Sequence, residues 1–262
     1  MEKTVEVDRQ VQTTTVWSFP DRGKWATHSA GYRGNWAPQV ARNLILLYSK
    51  EGETVLDPMV GSGTTMVEAT LLGRKGLGID IHPEVVAMAK KGVAFKKEDG
   101  MIEPKIEKGD ARNLVSVEDN SIDFVATHPP YLNIIFYGSK VVDGDLSRIS
   151  NLQKFCIEID LVAKECFRVI KPGKYCAILI GDTRRRRHFV PLAFNVMQRF
   201  LKAGFILKED VIKLQHNCSM TRYWSSQTKD FLLIMHEHLF IFRKPTQSED
   251  LSIYKDSIER FS

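Results

Sequence analysis

Three observations predict an α/β fold with a doubly wound, mostly parallel sheet of seven strands. Short β-rich runs alternate with amphipathic helical segments from about Asn35 onward, the pattern of a parallel sheet covered on both faces. Successive runs end on a carboxylate or a glycine where the chain must turn into a helix. The last two runs follow one another with only a loop between, which predicts an antiparallel C-terminal hairpin at one sheet edge.

In order, the periodicity predicts strands over 54–57, 76–80, 105–108, 122–127, 175–181, 205–214 and 231–242. It predicts helices over 64–72, 83–95, 152–170 and 191–203. No internal repeat or linker interrupts the series, so 1–262 reads as a single domain with an N-terminal arm over 1–34 and a polar tail over 246–262. At 262 residues, 43% hydrophobic and 26% charged, the chain is long enough to bury one core and unlike a disordered or fibrous sequence. The net charge of +5 permits nucleic-acid binding without establishing it. Four cysteines without Cys-x-x-Cys pairing read as buried free thiols in a reducing compartment. No apolar run approaches the ~18 residues of a membrane helix, so a cytoplasmic protein is expected.

The first strand leads into Asp57-Pro58-Met59-Val60-Gly61-Ser62-Gly63-Thr64-Thr65. Gly61 and Gly63 allow close backbone approach to a ligand ahead of a helix that begins at Thr64. A phosphate-binding loop needs Gly-Lys-Ser/Thr, and this one has Gly-Thr-Thr. Asp57 would repel a pyrophosphate and suits an ammonium group such as that of S-adenosylmethionine. Asp80, ending the second strand before Ile81, can accept hydrogen bonds from two ribose hydroxyls, and Asp110, closing the third, can accept one from an adenine amino group. Each acid alone also reads as a helix cap; three at successive strand ends beside a glycine loop point to a nucleoside ligand. A dehydrogenase is the alternative on these residues.

After the fourth strand comes Thr127-His128-Pro129-Pro130-Tyr131, at the edge where open α/β sheets place their ligands. Consecutive prolines hold the backbone extended and rigid, so a neighbouring carbonyl can face a pocket. An exocyclic amino group on a base has its lone pair delocalised into the ring, and acceptors must draw that nitrogen toward tetrahedral geometry before it attacks a methyl sulfonium. A rigid carbonyl and a polar side chain can supply them, while an aromatic such as Tyr131 can stack on a base lifted from the duplex. The alternative is a Pro-Pro turn with a surface aromatic.

These segments resemble the DNA amino-methyltransferases, the N4-cytosine and N6-adenine enzymes. That family's loop is Asp-Pro-Phe-x-Gly-Ser-Gly-Thr-Thr and its tetrapeptide Asp/Asn/Ser-Pro-Pro-Tyr/Phe/Trp. Gly34-Asn35-Trp36-Ala37-Pro38-Gln39 is similar to the segment that borders the methionine end of the family's cofactor. The resemblance implies a Rossmann-like methyltransferase fold and S-adenosylmethionine held by Asp57, Pro58, Gly61, Gly63, Thr64, Asp80, Ile81, Asp110, Asn35 and Trp36. It places catalysis at His128, Pro129, Pro130 and Tyr131, with DNA as substrate, RNA as the alternative, and a restriction endonuclease as a companion. A non-catalytic nucleic-acid-binding relative is the reading from another class. His128 departs from the family's Asp, Asn or Ser, and an ordinary imidazole pKa near 6.5 would make activity fall in mild acid. Thr127 resembles the Thr-Ser-Pro-Pro-Tyr form and favours N4-cytosine, although the motif order is the reverse of many cytosine enzymes.

Arg184, Arg185, Arg186 and Arg187 follow the fifth strand at the same edge and are candidates for phosphate contact. Tyr223 and Trp224, in the loop 215–229, are candidates for holding a base, and 132–150 could close over substrate as a lid. The aromatic and basic residues of 17–25 read as packing. His236 and His238 share one strand face, and with no third ligand near in sequence they read as structural hydrogen-bonding groups; no metal is expected.

Overall fold

The structure is a computed structural model and describes residues 11–138, 140–217 and 230–258. In chain order it contains β1 (Val16–Trp17), α1 (Pro38–Tyr48), β2 (Thr54–Asp57), α2 (Thr64–Leu71), β3 (Lys75–Asp80), α3 (Pro83–Gly92), β4 (Lys105–Lys108) and β5 (Ile122–Thr127). There follow α4 (Leu152–Val169), β6 (Ile170–Ile180), β7 (Thr183–Arg185), β8 (His188–Val190), α5 (Leu192–Lys202), β9 (Ile206–Leu214) and β10 (His236–Arg243).

Among the described residues the main sheet has eight strands in the order β1-β9-β10-β6-β5-β2-β3-β4, with β7 and β8 forming a separate two-stranded ribbon. β10 runs antiparallel to both β9 and β6, while every other pairing in the main sheet is parallel. The C-terminal hairpin therefore exists, but β10 is inserted between β9 and β6, and a two-residue β1 lies beyond β9. This makes eight strands where seven were expected; β1 is too short to give a periodic signal.

β10 begins at His236 rather than 231, because its partner β9 ends at Leu214, and the Gln215 N–H to Met235 carbonyl bond of 2.9 Å is the last rung. α3 stops at Gly92, short of the expected 95, and α4 passes directly into β6 at Ile170, upstream of the Pro172-Gly173 pair.

Alternating residues divide the core between the two faces. Val125, Ile178, Ile180, Phe240 and Phe242 pack under α4 and α5 with Phe155 and Phe200. Phe124, Ala177, Leu179, Leu239 and Ile241 face α1 with Val40, Leu44, Ile45 and the buried Trp17. Period-two alternation on buried central strands fixes the register, since a one-residue slip would exchange the faces.

The N-terminal arm is not loose where described. Trp25 Nε1 donates to Glu68 Oε1 at 2.7 Å, His28 Nε2 lies 2.6 Å from the same oxygen, and Arg42 Nη1 donates to Oε2 at 2.6 Å. The Glu68 side chain is fully buried on α2, so these three groups supply the partners that a buried carboxylate requires. The described part of the tail also packs back: Arg243 grips Glu249 through two bonds of 2.9 and 2.5 Å, and Leu207 N–H donates to the Ser257 carbonyl at 2.8 Å. Among the described residues, no helix is long and apolar enough to cross a membrane. Cys156, Cys166 and Cys176 are buried free thiols.

Candidate active site

A cavity whose free space, open mouth included, is about 770 Å³ lies at the carboxyl ends of β2, β3, β4 and β5, where doubly wound sheets place their ligands. Asp57, Pro58, Gly61, Thr64, Asp80, Ile81, Asp110, Asn35, Trp36, His128 and Pro130 all line it, so the fold gathers most of the site residues expected from sequence.

Asp57 ends β2 and is 3% exposed. Its Oδ2 accepts from the Thr65 hydroxyl at 2.6 Å, and its Oδ1 from the Thr127 hydroxyl at 2.9 Å and the Met59 N–H at 3.2 Å. One carboxylate thus ties the ends of β2 and β5 to the first turn of α2. Burial pushes its pKa from 3.8 up to about 6, against the pull of these hydrogen bonds.

Asp80 is held just as closely: Gly61 N–H donates to Oδ2 at 3.1 Å and His82 N–H to Oδ1 at 3.0 Å. Each oxygen keeps a lone pair for a ribose hydroxyl. Burial raises this carboxyl also. Arg112 grips both oxygens of Asp110, with Nη2 donating to Oδ2 at 2.7 Å and Nε shared between Oδ1 at 3.1 Å and Oδ2 at 3.0 Å, and its Nη1 donates to Glu158 at 2.6 Å.

Gly61 (φ +52°) sits in the left-handed region, and a Cβ there would lie 3.3 Å from the Tyr32 ring that closes the loop's outer side. Gly63 does not line the cavity. It caps α2 at φ +91°, and a Cβ there would come within 3.2 Å of the Ala89 Cα. Gly63, expected at the cofactor, thus stands behind the cavity wall, and its absent side chain lets α2 pack on α3.

The tetrapeptide contains the largest departure from expectation. His128 and Pro130 reach the cavity, whereas Pro129 and Tyr131 do not. The Tyr131 ring turns under the sheet edge over Gly181, where a Cβ would stand 2.7 Å from Cε2. Its hydroxyl donates to Glu237 Oε1 at 2.7 Å and lies 2.6 Å from His128 Nε2. Lys213 Nζ completes the chain at 2.8 Å from Glu237 Oε2. Tyr131 is therefore fixed by a buried polar network and is not a free stacking face. The aromatic surfaces on the cavity are Tyr32, Tyr137 and Trp36, whose ring stacks on the His128 ring at 5.9 Å and 21°.

Burial works against ionisation of Glu237, but Lys213 and the neighbouring donors hold its carboxyl below the ordinary range. Tyr131 is pushed well above its usual pKa by burial and by that carboxylate. With Glu237 ionised and Tyr131 donating to it, the phenol oxygen accepts from His128, so the network selects the Nε2–H tautomer. Nδ1 is then the lone-pair nitrogen. Among the described residues it is buried without a partner of hydrogen-bond geometry, and the Gly34 backbone near the ring pulls the pKa up against the effect of burial. Burial lowers the His128 pKa to about 4, so the imidazole stays neutral through mild acid, contrary to the expectation from its ordinary value.

The segment after Tyr131 covers the cavity, as a lid would. Tyr137, Gly144, Asp145 and Leu146 line it, and Arg148 Nη2 clasps the Gly138 carbonyl at 2.8 Å. The Tyr137 ring lies 5.7 Å from the Tyr32 ring, and Asp145 Oδ2 lies 3.1 Å from the buried His82 Nε2. Asn35 fixes the opposite rim, its Nδ2 donating to the Ser29 carbonyl at 2.9 Å and to Ser62 Oγ at 3.3 Å.

The arginine run forms the turn of the β7–β8 ribbon, with Arg186 and Arg187 at φ +48° and +69°. Arg184 donates to the Leu232 carbonyl at 2.7 Å, Arg185 donates to the Ser150 carbonyl, and Arg187 pairs with Asp230 at 2.9 Å. Arg186 is exposed at the tip. Tyr223 and Trp224 lie outside the described residues.

Tyr32, Tyr137, Arg112, His82 and Asp145 carry no local signal in the sequence. Glu237 carries one, as a lone acid between two histidines at the start of the run that continues as Leu239-Phe240-Ile241-Phe242.

The family follows from comparison with known sequences. A model described as a methyltransferase domain matches residues 49–229, and the chain belongs to that family. A model described as DNA methylase matches residues 2–91, which include the glycine loop. A tRNA (guanine(10)-N2)-dimethyltransferase of Methanothermobacter thermautotrophicus is 32% identical over 101 residues, 38% of this chain and 29% of that protein. The Type II methyltransferase M2.DpnII of Streptococcus pneumoniae is 41% identical over 76 residues, 29% of this chain and 27% of that protein. The chain spans less than a third of the length of either relative. A solved SAM-dependent methyltransferase from Methanosarcina mazei shares the fold, with a TM-score of 0.54 at 17% identity over 77% of this chain and 97% of that one.

S-adenosylmethionine is the cofactor, and the cavity fits it: backbone approaches closely at Gly61, two buried carboxylates keep spare acceptor capacity, and no phosphate-binding lysine stands in the loop.

Proposed function

We propose that the protein methylates the exocyclic amino group of a nucleic-acid base, with DNA as substrate and N4 of cytosine preferred to N6 of adenine. The observation that carries this reading is the neutral His128 imidazole on the cavity wall, oriented by Tyr131 and Glu237.

Bound S-adenosylmethionine supplies a methyl group on a positively charged sulfur. Asp57 and the loop to Thr65 would hold the methionine end, Asp80 the ribose, and the rim between Asp110 and Ile81 the adenine. His128 Nδ1 accepts a hydrogen bond from the incoming amine and draws its nitrogen out of conjugation. A pKa of about 4 makes this imidazole an acceptor that polarises the amine without retaining its proton. The rigid backbone from His128 to Pro130 keeps that acceptor in place. Trp36, Tyr32 and Tyr137 offer the flat surfaces that offset unstacking of the base.

The DNA methylase match over residues 2–91 and the likeness to M2.DpnII support DNA. The likeness to a tRNA guanine-N2 enzyme favours a second reading, an RNA base, with the same amine chemistry. Incubation with labelled S-adenosylmethionine and DNA or RNA, followed by mass spectrometry of nucleosides, separates them. Methylcytosine or methyladenine in DNA is the expected product; label in RNA alone selects the second reading, and label in neither refutes both.

A further inference from the structure

On the face of β10 opposite Glu237, three potential metal ligands converge from two parts of the chain. Asp182 follows β6, and His236 and His238 stand two residues apart on β10; one ligand atom from each lies within 4.8 Å of the others. The sequence alone shows only the histidine pair, because Asp182 is remote along the chain. β10 runs antiparallel to β6 with His238 opposite Ile180, and this pairing brings the end of β6 beside the start of β10.

Two features go beyond proximity. The Asp182 side chain is 1% exposed, and its Oδ1 accepts the Ala193 N–H at 2.8 Å in the first turn of α5. Its Oδ2 is buried, has no hydrogen-bond partner among the described residues, and lies 3.8 Å from His238 Nε2. A buried carboxylate oxygen left in this state costs free energy unless a cation or donor meets it. Second, Asp210 on β9 lies 3.1 Å from His238 Nδ1. A carboxylate on that nitrogen fixes the tautomer in which Nε2 presents its lone pair, the arrangement that orients histidine ligands in metal sites.

We propose that Asp182, His236 and His238 bind a divalent transition metal ion of the zinc class, with Asp210 as the positioning residue behind His238. Two imidazoles and a carboxylate suit zinc, with the fourth position left to water on the half-exposed His236 side. The ion would neutralise the acids at this corner and pin the end of β6 to β10. Thr183, the next residue after Asp182, starts the arginine ribbon, so the metal would fix the root of that ribbon relative to the sheet.

The test is titration of the chelator-treated full chain with Zn²⁺ against a chromophoric competitor, with Co²⁺ absorption spectra as a second readout. One equivalent per chain is expected. His236→Ala and Asp182→Asn should abolish it, and Asp210→Asn should weaken it about 10- to 100-fold. A double variant of the exposed His188 and His216 to alanine should bind as the parent does. Asparagine can still cap α5, and His236 is half-exposed, so the variants test binding in folded protein, which far-UV circular dichroism verifies. Absence of stoichiometric binding, or binding that survives His236→Ala, overturns the proposal; in the second case His238 is instead an imidazolium held between Asp182 and Asp210.

Discussion

Replacing Asp57 by asparagine tests the claim that the glycine loop is built around a strained charge. Burial places the Asp57 pKa at about 6 in the folded protein, against 3.8 for an ordinary aspartate. A folded-state pKa above the unfolded one means that the folded chain binds the proton more tightly. Stability from this group is therefore fully present below pH 3.8 and is lost as pH rises through 6. Two pKa units correspond to about 3 kcal/mol. The asparagine side chain carries no charge at any pH, so the cost of Asp57→Asn relative to the parent should become about 3 kcal/mol smaller at pH 7.5 than at pH 3.5. The assay is urea unfolding of both proteins without ligand at each pH. Comparing the change between the two pH values cancels any constant loss from rearranged bonds to Thr65 and Thr127. A difference that stays the same at both pH values would refute the reasoning. At pH 7.5 the same variant should bind S-adenosylmethionine more weakly, because the charge that destabilises the loop in the absence of cofactor attracts the ammonium group.

Three further outcomes are expected. With cofactor saturating, kcat should show no fall between pH 8 and 5 attributable to His128, whose pKa is about 4, whereas cofactor affinity should decline as pH falls through 6 and Asp57 is protonated; stopped assays across that range separate the two. Gly63→Ala should destabilise by roughly 1–2 kcal/mol from the left-handed backbone alone, and more from crowding against Ala89, as measured by chemical denaturation. Substituting Arg185 and Arg186 with alanine should weaken nucleic-acid binding and lower the slope of log K against log salt by about 0.9 for each phosphate no longer neutralised; an unchanged slope would assign the ribbon to structure.

Features confined to a few consecutive residues are legible in the sequence. The glycine loop, the acids at strand ends and the Pro-Pro tetrapeptide are of this kind, and the doubly wound fold brings the carboxyl ends of parallel strands to one edge. Asp57, Asp80, Asp110 and His128 therefore meet at the cavity as expected. Features whose partners come from distant segments are not legible. Tyr131 reads as a stacking ring because neither Gly181, which makes room for it, nor Glu237, which binds its hydroxyl, is near it in sequence. The histidine pair on β10 lacks its carboxylate for the same reason. His128 reads with an ordinary pKa because burial beside Trp36 arises only from the tertiary fold. The tie from the Thr127 hydroxyl to Asp57 is likewise invisible in the sequence, because the two residues are 70 positions apart.

The cavity takes one wall from Tyr32, Asn35 and Trp36, which precede the sheet's central strands, while the orientation of its acceptor depends on Glu237 in the final strand. The strand threaded between β6 and β9 therefore contributes to the site without lining it. A chain cut before β10 would keep every residue named on the cavity wall, the last of which is Leu146, and would lose the carboxylate that orders the Tyr131 and His128 hydrogen bonds.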